Sequence, residues 1–349
     1  MDFFPTYLFW IILTAIFATI YRFTRTQQNT GKVVAIVATR NEREDILAEC
    51  LASIQANGVE YILVDDASEV PVPNAHIRFE VNKGKKLAQL EAVKKAPRSD
   101  YIVAVDSDTV LEPDAIQNAL KRFDDRTGAV VGEISVCNDG IVNALYLSSF
   151  NIGRAIASIF GQVSVCSGAF TVYRRELFEQ IIRESATRKI NGGEDRYLTY
   201  LLLRDGWKTK YEHSAKSSTI TPVEGKFIKQ QIRWHRSFWR GLFYSWRAYK
   251  NNLFLFVQNI YQAIGRILTI ALFILFWITM FTGNWDWSIG IILTVIIHSF
   301  LKSIIVAIAT KRPIVPFLLP LWGLCSLFII APLNVWAVVT IKQDSWGNR

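Results

Sequence analysis

Tyr101-Ile102-Val103-Ala104-Val105-Asp106-Ser107-Asp108 is an apolar run that stops abruptly at two carboxylates. A short apolar run bounded by polar residues reads as a buried strand. Val33 to Thr39, followed by Arg40-Asn41-Glu42, has the same form, as does Tyr61 to Asp65, followed by Asp66. Asp45 to Asn57 and Lys86 to Lys95 read as the helices between these strands. Strands alternating with helices imply an α/β fold with a parallel sheet, whose ligand site lies at the carboxyl ends of the strands. The polar residues fall at those ends each time.

The chain has 349 residues, 51% of them hydrophobic, room for a soluble domain of roughly 200 residues plus several membrane segments. Phe3 to Tyr21 is free of charge and approaches the ~20 residues that span a bilayer. Arg22 and Arg25 follow it, so residues 1–25 are expected to form an amino-terminal transmembrane helix with the next segment cytoplasmic. A cleaved signal peptide is the competing reading, but the segment has no basic start and no small-residue cleavage site. Cys50, Cys137, Cys166 and Cys325 are scattered without ligand spacing, which supports neither a disulfide framework nor a zinc site. The net charge of +9 is compatible with nucleic acid, anionic lipid or an anionic substrate. Because basic residues crowd Lys226 to Lys250, just before the hydrophobic half, a lipid bilayer and nucleotide phosphates are the expected partners, and nucleic acid is not.

Residues 223–252 read as an amphipathic interface helix, with Trp234, Phe238, Trp239, Phe243 and Trp246 at headgroup depth. Residues 253–341 read as transmembrane or re-entrant helices. One span runs from Arg266, or from as early as Leu253, to Phe281, and another from Trp287 to Thr310. In the block Pro313 to Ile341, Pro316, Pro320 and Pro332 favour a broken, re-entrant or interfacial hairpin. A single span placing the carboxyl terminus outside is the alternative. Arg266 and Lys302 lie within or at the edge of these segments, where a cation marks either a function or a snorkelling side chain.

Asp106 and Asp108, two positions apart after a strand, suit a Mg²⁺ or Mn²⁺ ion on a nucleotide diphosphate, although acidic strand ends are often plain loops. Asp66 could accept a hydrogen bond from a uracil ring N–H, or belong to a turn-forming acidic pair. Asn82-Lys83-Gly84-Lys85-Lys86 offers close backbone approach and cations for a diphosphate, or a solvated basic turn. In Asn191-Gly192-Gly193-Glu194-Asp195, Asp195 is a candidate general base for an acceptor hydroxyl, set against a solvated helix start. In Gln230-Gln231-Ile232-Arg233-Trp234, Arg233 can contact a diphosphate and Trp234 can stack on a sugar, though each alone suits a lipid anchor.

Taken together, these motifs resemble the membrane-embedded, processive family 2 inverting glycosyltransferases, most closely hyaluronan synthases and then chitin-oligosaccharide synthases. The resemblance also rests on Val165-Cys166-Ser167-Gly168, Tyr173-Arg174, Gly193-Glu194-Asp195-Arg196-x-Leu198-Thr199, and the terminal Trp346-Gly347-Asn348-Arg349. It implies a cytoplasmic GT-A (Rossmann-like) α/β domain over residues 31–222, joined to α-helical interface and transmembrane helices, with a gating segment at 342–349. The sugar nucleotide would be held by Asp66, Lys85, Lys86, Asp106, Asp108, Arg233, Trp346 and Arg349, with Asp108 on Mn²⁺ or Mg²⁺. The acceptor would meet Cys166, Gln230 and Trp234, and Asp195 would be the catalytic base. Implied partners are UDP-sugar donors, a growing polysaccharide and the plasma or inner membrane, with a homo-oligomer left open. A non-processive glycolipid synthase of the ceramide glucosyltransferase kind shares these motifs, and a non-catalytic membrane scaffold would need a broken site. Glu194 stands where hyaluronan synthases usually carry a second aspartate, which is closer to the chitin type.

Overall fold

The computed structural model describes residues 29–137, 140–188, 193–220, 226–310 and 312–343, together with Ile16, Ile20 and Tyr21. The three expected strands are present as β1 (Val33–Thr39), β2 (Glu60–Asp65) and, after the short β3 (Ile77–Arg78), β4 (Tyr101–Asp106). Helices α1 (Glu44–Ala56) and α2 (Lys85–Lys95) connect them, and these strands pair in parallel. Ala35, Val37, Val103 and Val105 pack on one face with Leu47, Cys50 and Ile54 of α1, whereas Val34, Ile36, Ile102 and Ala104 meet Ala88, Ala92 and Val93 of α2 on the other. Burial on both faces is why the sequence shows unbroken apolar runs rather than alternation. The register sets Thr39 opposite Asp65 and Ala38 opposite Asp106, so the strands end level and bring their polar residues to one edge.

Past Asp106 the sheet departs from the parallel expectation. β5 (Thr109–Leu111), α3 (Ala115–Leu120), β6 (Thr127–Val136), a helical segment over 141–159, β7 (Phe170–Arg174), α4 (Arg175–Ala186), α5 (Glu194–Arg204) and β8 (Lys208–Thr219) complete the domain. The strand order is β3-β2-β1-β4-β7-β6-β8-β5, with β7 antiparallel to both β4 and β6. The chain therefore enters β7 from the edge where β4 ends. Val105 pairs with Phe170, which delivers the loop Cys166 to Ala169 alongside Asp106.

The interface helix is α6 (Lys226–Tyr244), followed by a short turn of helix, Trp246–Tyr249. Its aromatics are divided between two surroundings. Phe243 and Trp246 are 77% and 74% exposed, as headgroup anchors require, but Phe238 is buried and Trp239 donates its indole N–H to Asn334 at 2.7 Å. α6 therefore packs on further helices as well as facing outward. Those helices are α7 (Leu253–Phe281), α8 (Trp285–Thr310) and α9 (Val315–Val339). All three carry stretches long and apolar enough to cross a membrane.

The prolines do not break α9. Pro316 lies in its first turn, where a missing N–H costs nothing, and Pro332 follows a π-helical turn over Ser326–Ile330 that relaxes the local hydrogen-bond register. The helix is continuous, which corrects the broken hairpin. Both of its ends nevertheless return to the catalytic half: Val315 packs with Ala144 and Leu147, and Thr340, just past the helix, accepts from Arg236 of α6 at 2.7 Å.

Residues 1–25, expected to span the membrane, lie outside the described residues except for Ile16, Ile20 and Tyr21. Tyr21 is nevertheless buried in the catalytic domain, donating its hydroxyl to the Tyr211 carbonyl at 2.7 Å beneath the Arg122 guanidinium. Arg122 in turn forms a buried ion pair with Glu212. Removing one partner strands a buried charge, so Arg122→Ala is expected to destabilise the protein by about 3–5 kcal/mol. Thermal unfolding of the full chain in detergent checks this, and an unchanged midpoint would contradict it.

Candidate active site

Gly84 opens α2 with φ +85°, a conformation suited to glycine. Its N–H and that of Lys83 donate to the two carboxylate oxygens of Asp66 at 2.8 and 2.7 Å. Asp66 therefore ties the end of β2 to the start of α2 and fixes the direction in which Lys85 leaves the helix. The Lys85 ammonium lies 2.5 Å from Asp106 and 3.8 Å from Asp195. Burial works against this ammonium, but Asp106, Asp195 and Glu194 outweigh it and hold Lys85 above its usual pKa.

Asp195 lies in the first turn of α5 and accepts the Gly168 N–H at 2.9 Å. A Cβ on Gly168 would fall 2.2 Å from the Lys85 nitrogen and 2.8 Å from Asp195, so the glycine permits this close approach. Burial raises the Asp195 pKa to about 6, with Glu194 and Asp106 adding to the shift and Lys85 and the Gly168 N–H opposing it. A carboxylate so shifted is a stronger base than an ordinary aspartate yet still ionised at neutral pH. Thr199 supports it from behind, donating its hydroxyl to the Asp195 carbonyl and accepting the Cys166 N–H.

The second half of the site comes from α6. Gln230, Arg233 and Trp234 are spaced to share one face of the helix. Trp234 packs edge-on against Tyr146 and Phe150 of the segment 141–159, with ring centroids 6.0 and 5.7 Å apart. The Tyr146 phenol is held above its usual pKa by burial, with Arg154 and Arg233 opposing and Asp108 and Asp106 reinforcing. Charges of the DxD triplet and of the Gln-x-x-Arg-Trp helix thus act with opposite sign on one phenol. Sequence reading missed Tyr146, Phe150 and Arg154, although their spacing of four residues is a legible helical signal. It also missed that the Ser107 hydroxyl donates to Glu42 at 3.1 Å.

Two assignments are corrected. Lys86 turns away from the site and donates to the carbonyls of Ser185 and Arg188, near the carboxyl end of α4, at 3.3 and 2.9 Å. Adjacent residues on a helix point in different directions, so of the two lysines Lys85 is the one paired with Asp106, although Glu194 acts on both. Cys166 is fully buried in the core, its thiol pushed up to about 12 by burial, and so supports the loop without lining an acceptor surface. Trp346 and Arg349 lie outside the described residues, the last of which, Gln343, accepts from Arg236 of α6 at 3.2 Å.

No cluster of three or more His, Cys, Asp or Glu side chains suited to a metal occurs among the described residues. A divalent ion that shares a diphosphate needs only one or two carboxylates, with phosphate oxygens and water completing its shell. Asp106 and Asp108 meet that requirement.

An α/β sheet with an acidic edge, packed against helices long and apolar enough to cross a membrane, is the fold of a GT-A-type glycosyltransferase. Residues 34–182 match the family described as Glycosyl transferase family 2, a stretch that ends before Asp195 and α6. Similarity to whole relatives extends further. The chain is 30% identical to a hyaluronan synthase of Streptococcus pyogenes, over 91% of this chain and 83% of that protein. It is 29% identical to an N-acetylglucosaminyltransferase of Mesorhizobium japonicum, over 91% and 81% respectively. Among solved structures, a Pyrobaculum calidifontis mannosyltransferase in complex with GDP-Man and Mn²⁺ superposes with a TM-score of 0.58 at 16% identity, covering 98% of this chain and 97% of that one, a likeness of fold. The protein belongs to glycosyltransferase family 2.

If Asp195 is the base, activity rises with pH as its carboxyl ionises, giving an acidic limb near pH 6. Because Lys85 lowers that pKa, Lys85→Met should move the limb to higher pH and Lys85→Arg should leave it closer to wild type. Asp195→Asn should cost about 100-fold to 10,000-fold in the rate of sugar transfer. A Lys85→Met profile superimposable on wild type would exclude the arrangement.

Proposed function

We propose that this enzyme transfers sugars from UDP-sugars, with inversion and processively, to the growing end of a β-linked polysaccharide. The observation that carries this reading is the Asp195 carboxylate, raised to about 6 and joined through Lys85 to Asp106 of the DxD triplet. In the proposed step an acceptor hydroxyl oxygen bonds to the anomeric carbon, the bond from that carbon to the diphosphate breaks, and the electron pair leaves with UDP. Asp195 takes the hydroxyl proton. Lys85 and Arg233 offer positive charge for the diphosphate, and Asp66 orders the turn beside the base-binding end of β2. Mn²⁺ or Mg²⁺ at Asp108 would neutralise the leaving diphosphate.

UDP-N-acetylglucosamine is the proposed donor, in keeping with the relatives' names, joined by UDP-glucuronate if the product is hyaluronan. Processive transfer is supported by the position of Trp234 on a helix between the acidic edge and the apolar helices, where it can hold a sugar just added. The catalytic domain is proposed to face the cytoplasm, and Trp346 and Arg349 to close over the nucleotide. A chitin-oligosaccharide synthase is the second reading, favoured by Glu194, and a glycolipid synthase is the third.

Purified full-length protein in nanodiscs, given Mn²⁺ with single and paired UDP-sugars, tests these together. A polymer of high mass that needs two donors and yields to hyaluronidase is the expected product. Digestion by chitinase alone selects the second reading, and a single sugar on lipid overturns the proposal of processive transfer.

A further inference from the structure

The helical segment over 141–159 changes pitch where it meets the site. Residues Tyr146–Asn151 form a π-helical turn between two α-helical stretches, a local widening that recurs at functional sites. In this turn the centres of the Tyr146 and Phe150 rings lie 5.2 Å apart, and both rings meet Trp234. Asn143 and Asn151 hold the turn on β6, the first accepting the Val136 N–H at 3.2 Å and the second donating to the Ile134 carbonyl at 2.8 Å. Ala144 and Leu147 pack instead with Val306 of α8 and with Val315 and Leu319 of α9. The sheet and the apolar helices thus fix this turn together.

The Tyr146 ring is held, but the fold does not use its hydroxyl. No hydrogen bond reaches that hydroxyl among the described residues, although Arg154, Asp108, Arg233 and Asp106 all act on it electrostatically. The phenol therefore lies between the acidic edge and α6. Tyr146, Phe150 and Trp234 each keep part of their surface exposed, as do Asp106, Asp108, Asp195 and Arg233, so these groups border space that a ligand can enter. A phenol both donates and accepts, and one that has lost hydration to neighbouring rings gains from a partner that restores its hydrogen bond. A diphosphate is better matched by the cations Lys85 and Arg233. A neutral phenol whose ring touches Trp234 suits an uncharged sugar oxygen.

We propose that Tyr146 is a substrate-contacting residue, whose hydroxyl donates to a hydroxyl or amide oxygen of the acceptor sugar held at Trp234 and so sets how long the growing chain stays in the site. The inference rests on the reading of a polymerising transferase and deepens it. Stacking on an indole face tolerates rotation and sliding of the sugar, whereas a hydrogen bond from a fixed phenol is directional. A sugar that turns or slips loses the bond, and release then competes better with the next transfer.

The test compares full-length wild type, Tyr146→Phe and Tyr146→Leu in nanodiscs with Mn²⁺ and UDP-sugars. It reads product length by electrophoresis, together with half-saturation by the donor and by added chitotetraose or hyaluronan tetrasaccharide. Tyr146→Phe should shorten the product and raise the half-saturating concentration of the tetrasaccharide that wild type uses by roughly 3-fold to 10-fold, the size expected for one neutral hydrogen bond. Tyr146→Leu, which also takes the ring away from Trp234, should shorten the product further. The phenylalanine variant keeps the packing against Phe150 and Trp234, and thermal midpoints separate a lost contact from a lost fold. Product length and tetrasaccharide half-saturation both unchanged in Tyr146→Phe overturn the proposal. A rise in UDP-sugar half-saturation without shortening assigns the hydroxyl to the donor, and that result also overturns it. Wild type that turns over UDP-sugar but adds only a single sugar refutes the polymerising reading instead, and half-saturation of Tyr146→Phe by that acceptor then still judges the contact.

Discussion

The candidate site depends on one ammonium group. Asp106 and Asp195 come from distant parts of the chain, and at close range two carboxylates in partly desolvated surroundings repel each other. Lys85 lies between them, with Asp106 at 2.5 Å and Asp195 at 3.8 Å. Its position follows from the Gly84 turn, held by Asp66, and from the lack of a side chain on Gly168. The level ends of β1, β2 and β4 supply the rest. Small changes in any of these would move the base relative to the DxD triplet.

Catalytic edge and membrane half are joined with equally little slack. Gly193 caps α5 with φ +87°, and a Cβ there would come within 2.0 Å of the Ser237 hydroxyl of α6. The helix that carries the candidate base thus touches the helix that carries Arg233 and Trp234. α6 is itself fastened to the last apolar helix and the residues after it, through Trp239 to Asn334 and Arg236 to Thr340. A shift in the apolar helices has a short path to the site, and the reverse also holds.

Much of this was legible in the chain. Apolar runs ending in carboxylates located β1, β2 and β4, because strands buried on both faces leave an unmistakable pattern. The same reading missed the antiparallel β7, since a run such as Phe170–Arg174 carries no mark of its direction. Motif membership also overreached. Lys86 and Cys166 sit inside stretches that carry chemistry, yet one closes the end of a neighbouring helix and the other fills the core. Proline likewise overstated its effect in α9, where a first-turn position and a π-helical turn absorb two of the three residues.

By itself, the sequence determined the α/β character of the catalytic half, the edge on which its chemistry lies, the apolar helices beside it and the family to which it belongs. These are properties of local composition and spacing, which strand burial, helix periodicity and bilayer thickness translate directly into structure. Only the tertiary structure decided which of two adjacent lysines meets the acidic pair, that Asp195 is raised to about 6, and that Arg196 and Arg266 share the buried ring of Phe238. Those outcomes depend on long-range approach and desolvation, which arise when distant segments close on one another and leave no signature along the chain.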